Sequence, residues 1–283
     1  MKTGLILEGG AMRGLFTAGV LDVFLENGIE FDGAAGISAG AVFGANFKSK
    51  QIGRTIRYNK RFCKDKRYGS ISNWLKTGDA FDVEFCYHTI PDELDVFDRE
   101  AFRDNPMPFW IGATNANTGK EEYYLCTDGG AKDIEWMRAS ASIPVVSRMV
   151  EIDGMELSDG GTADGIPYRF MTEEQGFDRC VTILTRQPGY KKSKNKLMPI
   201  IKAKLKKYPA LVEALADRHI RYNALYEYIE EQGTAGVTYI IRPPFKLDVV
   251  KMETNPDKLE AVYRLGRSEA MKHLRGVKEF LKK

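Results

Sequence analysis

Gly36-Ile37-Ser38-Ala39-Gly40, set between a short apolar run and a stretch of small residues, limits this chain more than any other feature. A GxSxG turn needs small flanking residues, because the backbone at the serine is strained and crowded by the strand before it and the helix after it. The hydroxyl then projects from the carboxyl end of the strand, beside a helix N-terminus that favours developing negative charge. The surrounding segments comply. Leu5-Ile6-Leu7 form an apolar run that stops at Glu8-Gly9-Gly10. Apolar residues recur at helical spacing from Leu15 to Leu25, and Asn27-Gly28 closes that segment. Phe31 to Ile37 makes a second apolar run, and the small residues from Ala39 to Asn46 suit a helix packed closely on a sheet. Two apolar strands joined by a helix form a βαβ unit, with parallel pairing and a right-handed crossover. As a bare pattern, the same five residues also fit a tight turn in which the serine only caps the helix.

The alternation continues. Residues 50 to 105 read as helices and loops of a flank. Strands are predicted at Phe109–Thr114, Glu122–Leu125, Met149–Ile152, Val181–Leu184 and Val237–Ile241, and helices at Leu211–Glu231 and Pro256–Leu281. With no Pro/Gly/Ser-rich linker, residues 1–283 read as a single α/β domain. It is layered helix–sheet–helix around a mostly parallel sheet, with a C-terminal helical extension from about residue 243.

The loop Glu8-Gly9-Gly10-Ala11-Met12-Arg13-Gly14 ends the first strand. Its glycines let backbone N–H groups approach a ligand, and such a loop opening a helix holds a phosphate or an oxyanion. It has neither GxGxxG spacing nor a GxxxxGK[ST] pattern. Beside a serine bend on the adjacent strand, Gly9, Gly10 and Ala11, with Ala39, become candidate oxyanion donors. The serine needs a base. Of the three histidines, His88, His219 and His273, none has a loop context that presents it to Ser38, and His219 reads as a helix-surface residue. Asp128-Gly129-Gly130 and Asp159-Gly160-Gly161 are better placed. A carboxylate touching the hydroxyl serves once its proton affinity rises in a closed site.

The EGGxxRG loop, the GISAG turn and a later DGG together resemble the patatin-like phospholipases. The resemblance extends to Thr114-Asn115-Ala116-Asn117-Thr118-Gly119 and to Arg138-Ala139-Ser140-Ala141-Ser142-Ile143-Pro144. It implies a Ser–Asp dyad of Ser38 and Asp159, because Asp159 follows the Ser/Ala/Pro segment and a hairpin at 150–157; Asp128 is left as a turn. Gly36 and Gly40 are the bend glycines. Two departures stand out: alanine at position 11 where the family usually has a third glycine, and Gly165-Ile166-Pro167 where it often has Asn-Pro. Arg13, directly after the glycines, either orients the loop, binds a lipid phosphate or forms a structural ion pair. The implied substrate is a phospholipid or another acyl ester, in a site that is calcium-independent. No cofactor is expected, and no His/Cys/Asp cluster has metal-ligand spacing.

Two other readings stay open. A Ser–His–Asp α/β-hydrolase esterase shares GxSxG, although only one strand precedes the bend here. A non-catalytic lipid- or phosphate-binding protein would use the same turns for anions.

Charge is unevenly spread. Net charge is +3, yet from Arg179 to Val212 there is no acidic residue, while Arg179, Arg186 and eight lysines between Lys191 and Lys207 are all basic. Leu197, Met198, Ile200, Ile201 and Leu205 interleave with those lysines. The stretch fits peripheral contact with an anionic membrane through Lys191–Lys207, and equally a solvated face or a helix covering the core, with Pro199 weakening helical continuity. No nucleic-acid motif accompanies it. The four cysteines form no CxxC pair and the N-terminus does not read as a signal peptide, so a cytoplasmic setting is expected, with peripheral membrane contact.

Overall fold

The computed structural model describes residues 1–282. Its centre is an eight-stranded sheet in the order β5-β6-β3-β2-β1-β7-β8, with β4 also paired to β3. The strands are β1 (Thr3–Leu7), β2 (Gly33–Ile37), β3 (Phe109–Asn115), β4 (Glu121–Leu125), β5 (Val150–Ile152), β6 (Met155–Asp159), β7 (Arg179–Ile183) and β8 (Thr238–Ile241). β3, β2, β1, β7 and β8 run parallel, whereas β4, β5 and β6 pair antiparallel at the β3 side. The sheet is therefore mixed but mostly parallel, as the sequence suggests.

Helices cover both faces, which is why the central strands read as unbroken apolar runs rather than alternating ones. Successive side chains of β1 point to opposite sides. Leu5 and Leu7 join a core with α1 (Gly14–Glu26), α2 (Ala39–Lys48), α6 (Ala131–Ala141) and α9 (Pro256–Lys282). Ile6 joins the opposite core, made by the 166–177 segment and by Tyr222, Tyr226 and Ile229 of α8 (Pro209–Thr234). The flank holds α3 (Arg54–Phe62), α4 (Ile71–Thr77), a π-helical stretch over Phe85–Leu94 and α5 (Arg99–Asp104).

The basic stretch is less uniform than its sequence. Pro199 sits in the first turn of α7 (Met198–Lys204), where its missing N–H costs nothing, so it opens a short helix. Ile201 and Leu205 bury against Leu211 and Leu215 of α8, and Lys191 and Lys207 pair with Glu227 and Glu156. Lys192 turns inward, while Lys194, Lys196, Lys202, Lys204 and Lys206 stay exposed.

From residue 243 on, the chain returns past the central cavity through Lys251 and Met252 and then lies along α1 as α9. The crossing is tight because glycines meet backbone. A Cβ on Gly266 would stand 2.0 Å from the Phe16 carbonyl oxygen, and one on Gly19 would stand 2.2 Å from that of Tyr263. The Tyr263 hydroxyl also donates to Asp22 on α1 at 2.6 Å.

This crossing predicts the sign of a substitution. In a helix interior Gly→Ala gains roughly 0.5–1 kcal/mol of propensity, but overpacking against backbone that cannot swing aside costs about 1–3 kcal/mol. Gly266→Ala is therefore expected to lower the thermal midpoint by several degrees, followed by circular dichroism. An unchanged or raised midpoint contradicts the close crossing.

Candidate active site

Ser38 and Asp159 meet because two strands share one edge of a third. Along that edge of β3, Ile37, the last residue of β2, pairs with Gly112, and Asp159, the last residue of β6, pairs with the next position, Ala113. The other edge is taken by β4 across Trp110–Thr114. β2 runs parallel to β3 and β6 antiparallel, so their carboxyl ends converge head to head. Whatever follows Ile37 must face whatever ends β6.

The chain leaves β2 through Ser38 at φ 54° and ψ −119°, outside the regions a serine prefers. Close packing enforces the bend. A Cβ on Gly36 would lie 2.4 Å from the Gly40 oxygen, and one on Gly40 would lie 2.4 Å from the Leu7 oxygen, so neither position takes a larger residue. The Ser38 N–H donates to Ser140 Oγ at 2.7 Å, and that hydroxyl donates to the Gly112 carbonyl at 2.6 Å. Two residues further along, the Ser142 carbonyl accepts the Asp159 N–H at 2.8 Å and the Ser158 hydroxyl at 2.9 Å. The end of α6 thus ties down the bend and the end of β6 together. The sequence marked this Ser-Ala-Ser segment only as the helix before a hairpin; the alternating small hydroxyls were the signal for its bracing role.

The Asp159 carboxyl is buried and shares one cavity with the Ser38 hydroxyl, which is near enough to lower its proton affinity. Burial pushes it above the usual carboxylate range, while Arg218, the Ser38 hydroxyl, the Gly161 amide (2.9 Å) and Lys251 pull the other way. Asp128 is a turn residue whose carboxylate accepts the Gly130 N–H at 2.8 Å, just before α6.

The glycine loop lies beside the bend. Ala11 takes φ 48°, so alanine occupies a left-handed position that a third glycine would fill without strain. The amides of Gly10, Ala11 and Ala39 have no acceptor among the described residues. Gly9 differs from expectation: its N–H donates to the Gly165 carbonyl at 3.2 Å, which removes it from the free donors. That bond also gives the Gly165-Ile166-Pro167 departure a structural part, holding the loop from below. Glu8, directly before Gly9, is anchored as well. Its buried carboxylate accepts the Thr185 N–H and the Tyr222 hydroxyl, each at 2.6 Å, a support the sequence reading did not identify.

Ser38, Asp159 and the loop open into a cavity of about 810 Å³. Its lining includes the apolar side chains of Val42, Phe43, Tyr87, Ile134 and Met137 and the basic side chains of Arg13, Arg186, Lys192, Arg218 and Lys251. Arg13 makes no ion pair among the described residues, and its Nε is buried without a hydrogen-bond partner, so the ion-pair reading fails. Burial and neighbouring Arg186 lower its proton affinity. His219 is half-buried on the cavity wall rather than on the outer surface. Its Nδ1 lies 3.0 Å from the Ala216 carbonyl of its own helix, and neither Ser38 nor Asp159 has it as a partner among the described residues. His273 contacts the Tyr239 hydroxyl at 3.0 Å, a pairing within the α9–β8 packing.

With this geometry in place, comparison with known proteins gives the class. The patatin-like phospholipase family model matches residues 5–171. The chain belongs to that family. A second model, a domain of unknown function (DUF6363), matches residues 208–282. Among similar proteins, "Uncharacterized protein YjjU" of Escherichia coli (strain K12) is 27% identical over 272 residues, covering 94% of this chain and 75% of its own length. "Uncharacterized NTE family protein Rv1063c" of Mycobacterium tuberculosis is 26% identical over 166 residues, 59% of this chain and 44% of its own. "Lysophospholipase NTE1" of Eremothecium gossypii is 29% identical over 283 residues, 93% of this chain but 17% of its own. The chain thus spans three quarters of the first relative, under half of the second and less than a fifth of the third.

The double hydrogen bond of Ser140 sets a stability test. Ser140→Ala leaves the Ser38 N–H and the Gly112 carbonyl without that partner in a buried site, at a cost of about 2–4 kcal/mol. Chemical denaturation should show the loss; a change below roughly 0.5 kcal/mol means that the bend does not depend on this hydroxyl.

Proposed function

We propose that this chain is a serine acyl-ester hydrolase of lipids, with Ser38 as nucleophile and Asp159 as its base. One observation carries the reading: β2 and β6 end head to head on β3, turning a hydroxyl on a strained bend toward a buried carboxyl. The cavity supports it, being of a size that takes an acyl chain and lined in part by apolar side chains. Family membership and a relative named as a lysophospholipase favour phospholipid or lysophospholipid acyl esters as substrates.

Ser38 Oγ attacks the ester carbonyl and its proton passes to Asp159, whose raised proton affinity suits a general base. The tetrahedral oxygen settles on the amides of Gly10, Ala11 and Ala39, each donor being worth about 3 kcal/mol of barrier. Collapse expels the alcohol, which takes the proton from Asp159. Water then attacks the acyl-serine with Asp159 again as base, and Ser38 is regenerated.

The same protein touches a membrane through α4 and α7. Lys204 Nζ sits 4.6 Å from the Trp74 ring centroid, which sets α7 beside α4, and together they expose Leu197, Ile200, Ile71 and Leu75 among lysines. No described helix is long and apolar enough to cross a bilayer. An apolar rim with surrounding cations suits shallow insertion into an anionic surface.

The dyad predicts that Ser38→Ala and Asp159→Asn each lower fatty-acid release by about 10³-fold or more, and that a fluorophosphonate labels Ser38 in the wild type. His219→Gln keeps activity; a loss confined to the histidine variant refutes the dyad. Because Asp159 must be ionised, the rate falls as pH drops through its raised pKa. Arg218→Gln, which removes a positive charge that lowers this pKa, is expected to move that limb to higher pH. For the membrane, flotation should recover the protein with anionic vesicles and lose it in high salt. Equal recovery with neutral vesicles, or none with either, removes the electrostatic contact.

A further inference from the structure

The cavity carries a second chemistry that cleaving an ester does not require. Arg13, Arg186, Lys192, Arg218 and Lys251 all line it, and no ion pair or side-chain hydrogen bond within the described residues engages them. The Nε atoms of Arg13, Arg186 and Arg218 are buried and unpartnered. Their placement is nonetheless fixed. Arg186 and Lys192 lie over Tyr190 and Tyr222, at 4.2 Å and 4.1 Å from the ring centroids. The Arg218 guanidinium covers Gly161, where an added Cβ would stand 2.9 Å from its Nη2.

These charges feel one another. Burial first, then Arg218, Arg186 and Arg13, push the Lys192 ammonium down to about 7, with Glu8 opposing. Burial and the same three arginines lower Lys251. The carboxyls on the cavity wall are Glu8 and Asp159. Glu8 is already engaged by Thr185 and Tyr222, and Asp159 lies near Ser38. Five crowded basic groups, with three guanidinium nitrogens starved of acceptors, ask for an anion rich in oxygen atoms, which would also favour the charged form of Lys192. Phosphate matches that demand, since guanidinium groups bind it through paired, charge-assisted hydrogen bonds.

We infer that Arg13, Arg186, Lys192, Arg218 and Lys251 form a headgroup site for phosphate, and that the acyl ester taken here is an anionic glycerophospholipid. Its acyl chain would lie against the apolar lining and its carbonyl at Ser38; the acyl part of this assignment rests on the hydrolase reading, the phosphate part does not. Of the five cations only Arg13 falls within the matched patatin-like segment, 5–171. Arg218 and Lys251 fall in the segment 208–282. The domain of unknown function thereby acquires a role: it contributes Arg218 and Lys251 to the cavity.

Binding to Ser38→Ala protein tests the site without turnover. Lysophosphatidic acid and lysophosphatidylcholine of one short acyl chain, both below their micelle concentrations, are titrated calorimetrically alongside inorganic phosphate. The anionic lipid should bind at least about tenfold more tightly than the zwitterionic one. Adding Arg186→Gln and Lys192→Gln should collapse that preference. Equal affinities in the Ser38→Ala protein, or a preference untouched by the two further changes, overturn the headgroup site. Inorganic phosphate binding as tightly as the anionic lipid reassigns the cluster to free phosphate and overturns the lipid assignment. Fatty-acid release by the wild type separates the two readings. Selective binding without release sinks the hydrolase and keeps the phosphate site; release at equal rates from both lipids, without selective binding, does the reverse.

Discussion

The register of two strands on one edge of β3 is the constraint from which the rest of the site follows. Ile37 opposite Gly112 and Asp159 opposite Ala113 leave no residue of β3 between the two strand ends. A shift of one residue in either pairing would turn the final side chain to the other face of the sheet. The pairing is therefore held from outside the sheet as well. Ser140 and Ser142 at the end of α6 bond one to each partner, so the helix acts as a jig for both. Strain at Ser38, of the order of 1–3 kcal/mol for a residue at such angles, is offset by this surrounding structure.

A second layer of support comes from the later part of the chain. Glu8 is fixed by Thr185 and by Tyr222 of α8, and Gly9 by Gly165. The loop that offers free amides near Ser38 is thus held where it leaves β1 by segments more than a hundred residues away. Such a loop is preorganised, which is the condition under which backbone donors stabilise a developing charge most strongly. The same long-range tethering brings α8 to the cavity. The element that braces Glu8 therefore also delivers Arg218.

Much of this was legible in the chain itself, and the reasons are local. GxSxG between a strand and a helix is readable because the close approach of Gly36 and Gly40 to backbone leaves no alternative residue, and β1 and β2 were plain as apolar runs. Asp159 was separable from Asp128 only through family resemblance, since both precede a glycine pair; geometry distinguishes them because one ends β6 and the other turns into α6. What stayed hidden depends on residues distant in sequence. No local pattern marks Gly9 as spent on Gly165, or Glu8 as the partner of Tyr222. The basic stretch fits a membrane-facing surface, a solvated face or a helix over the core, and nothing local tells its lysines apart: Lys192 turns inward while Lys191, next to it, pairs with Glu227 at the surface. His219 read as surface because helical periodicity places it on a face without saying what that face meets.

The most direct measurement is a crystal structure of the protein after reaction with a long-chain alkyl fluorophosphonate. The account predicts a phosphorus bonded to Ser38 Oγ, and a phosphoryl oxygen accepting hydrogen bonds from at least two of the Gly10, Ala11 and Ala39 amides. It also places the alkyl chain against the apolar lining and the Asp159 carboxyl beside the adduct. An adduct on another residue, a phosphoryl oxygen turned away from those amides, or an Asp159 side chain directed elsewhere would contradict it.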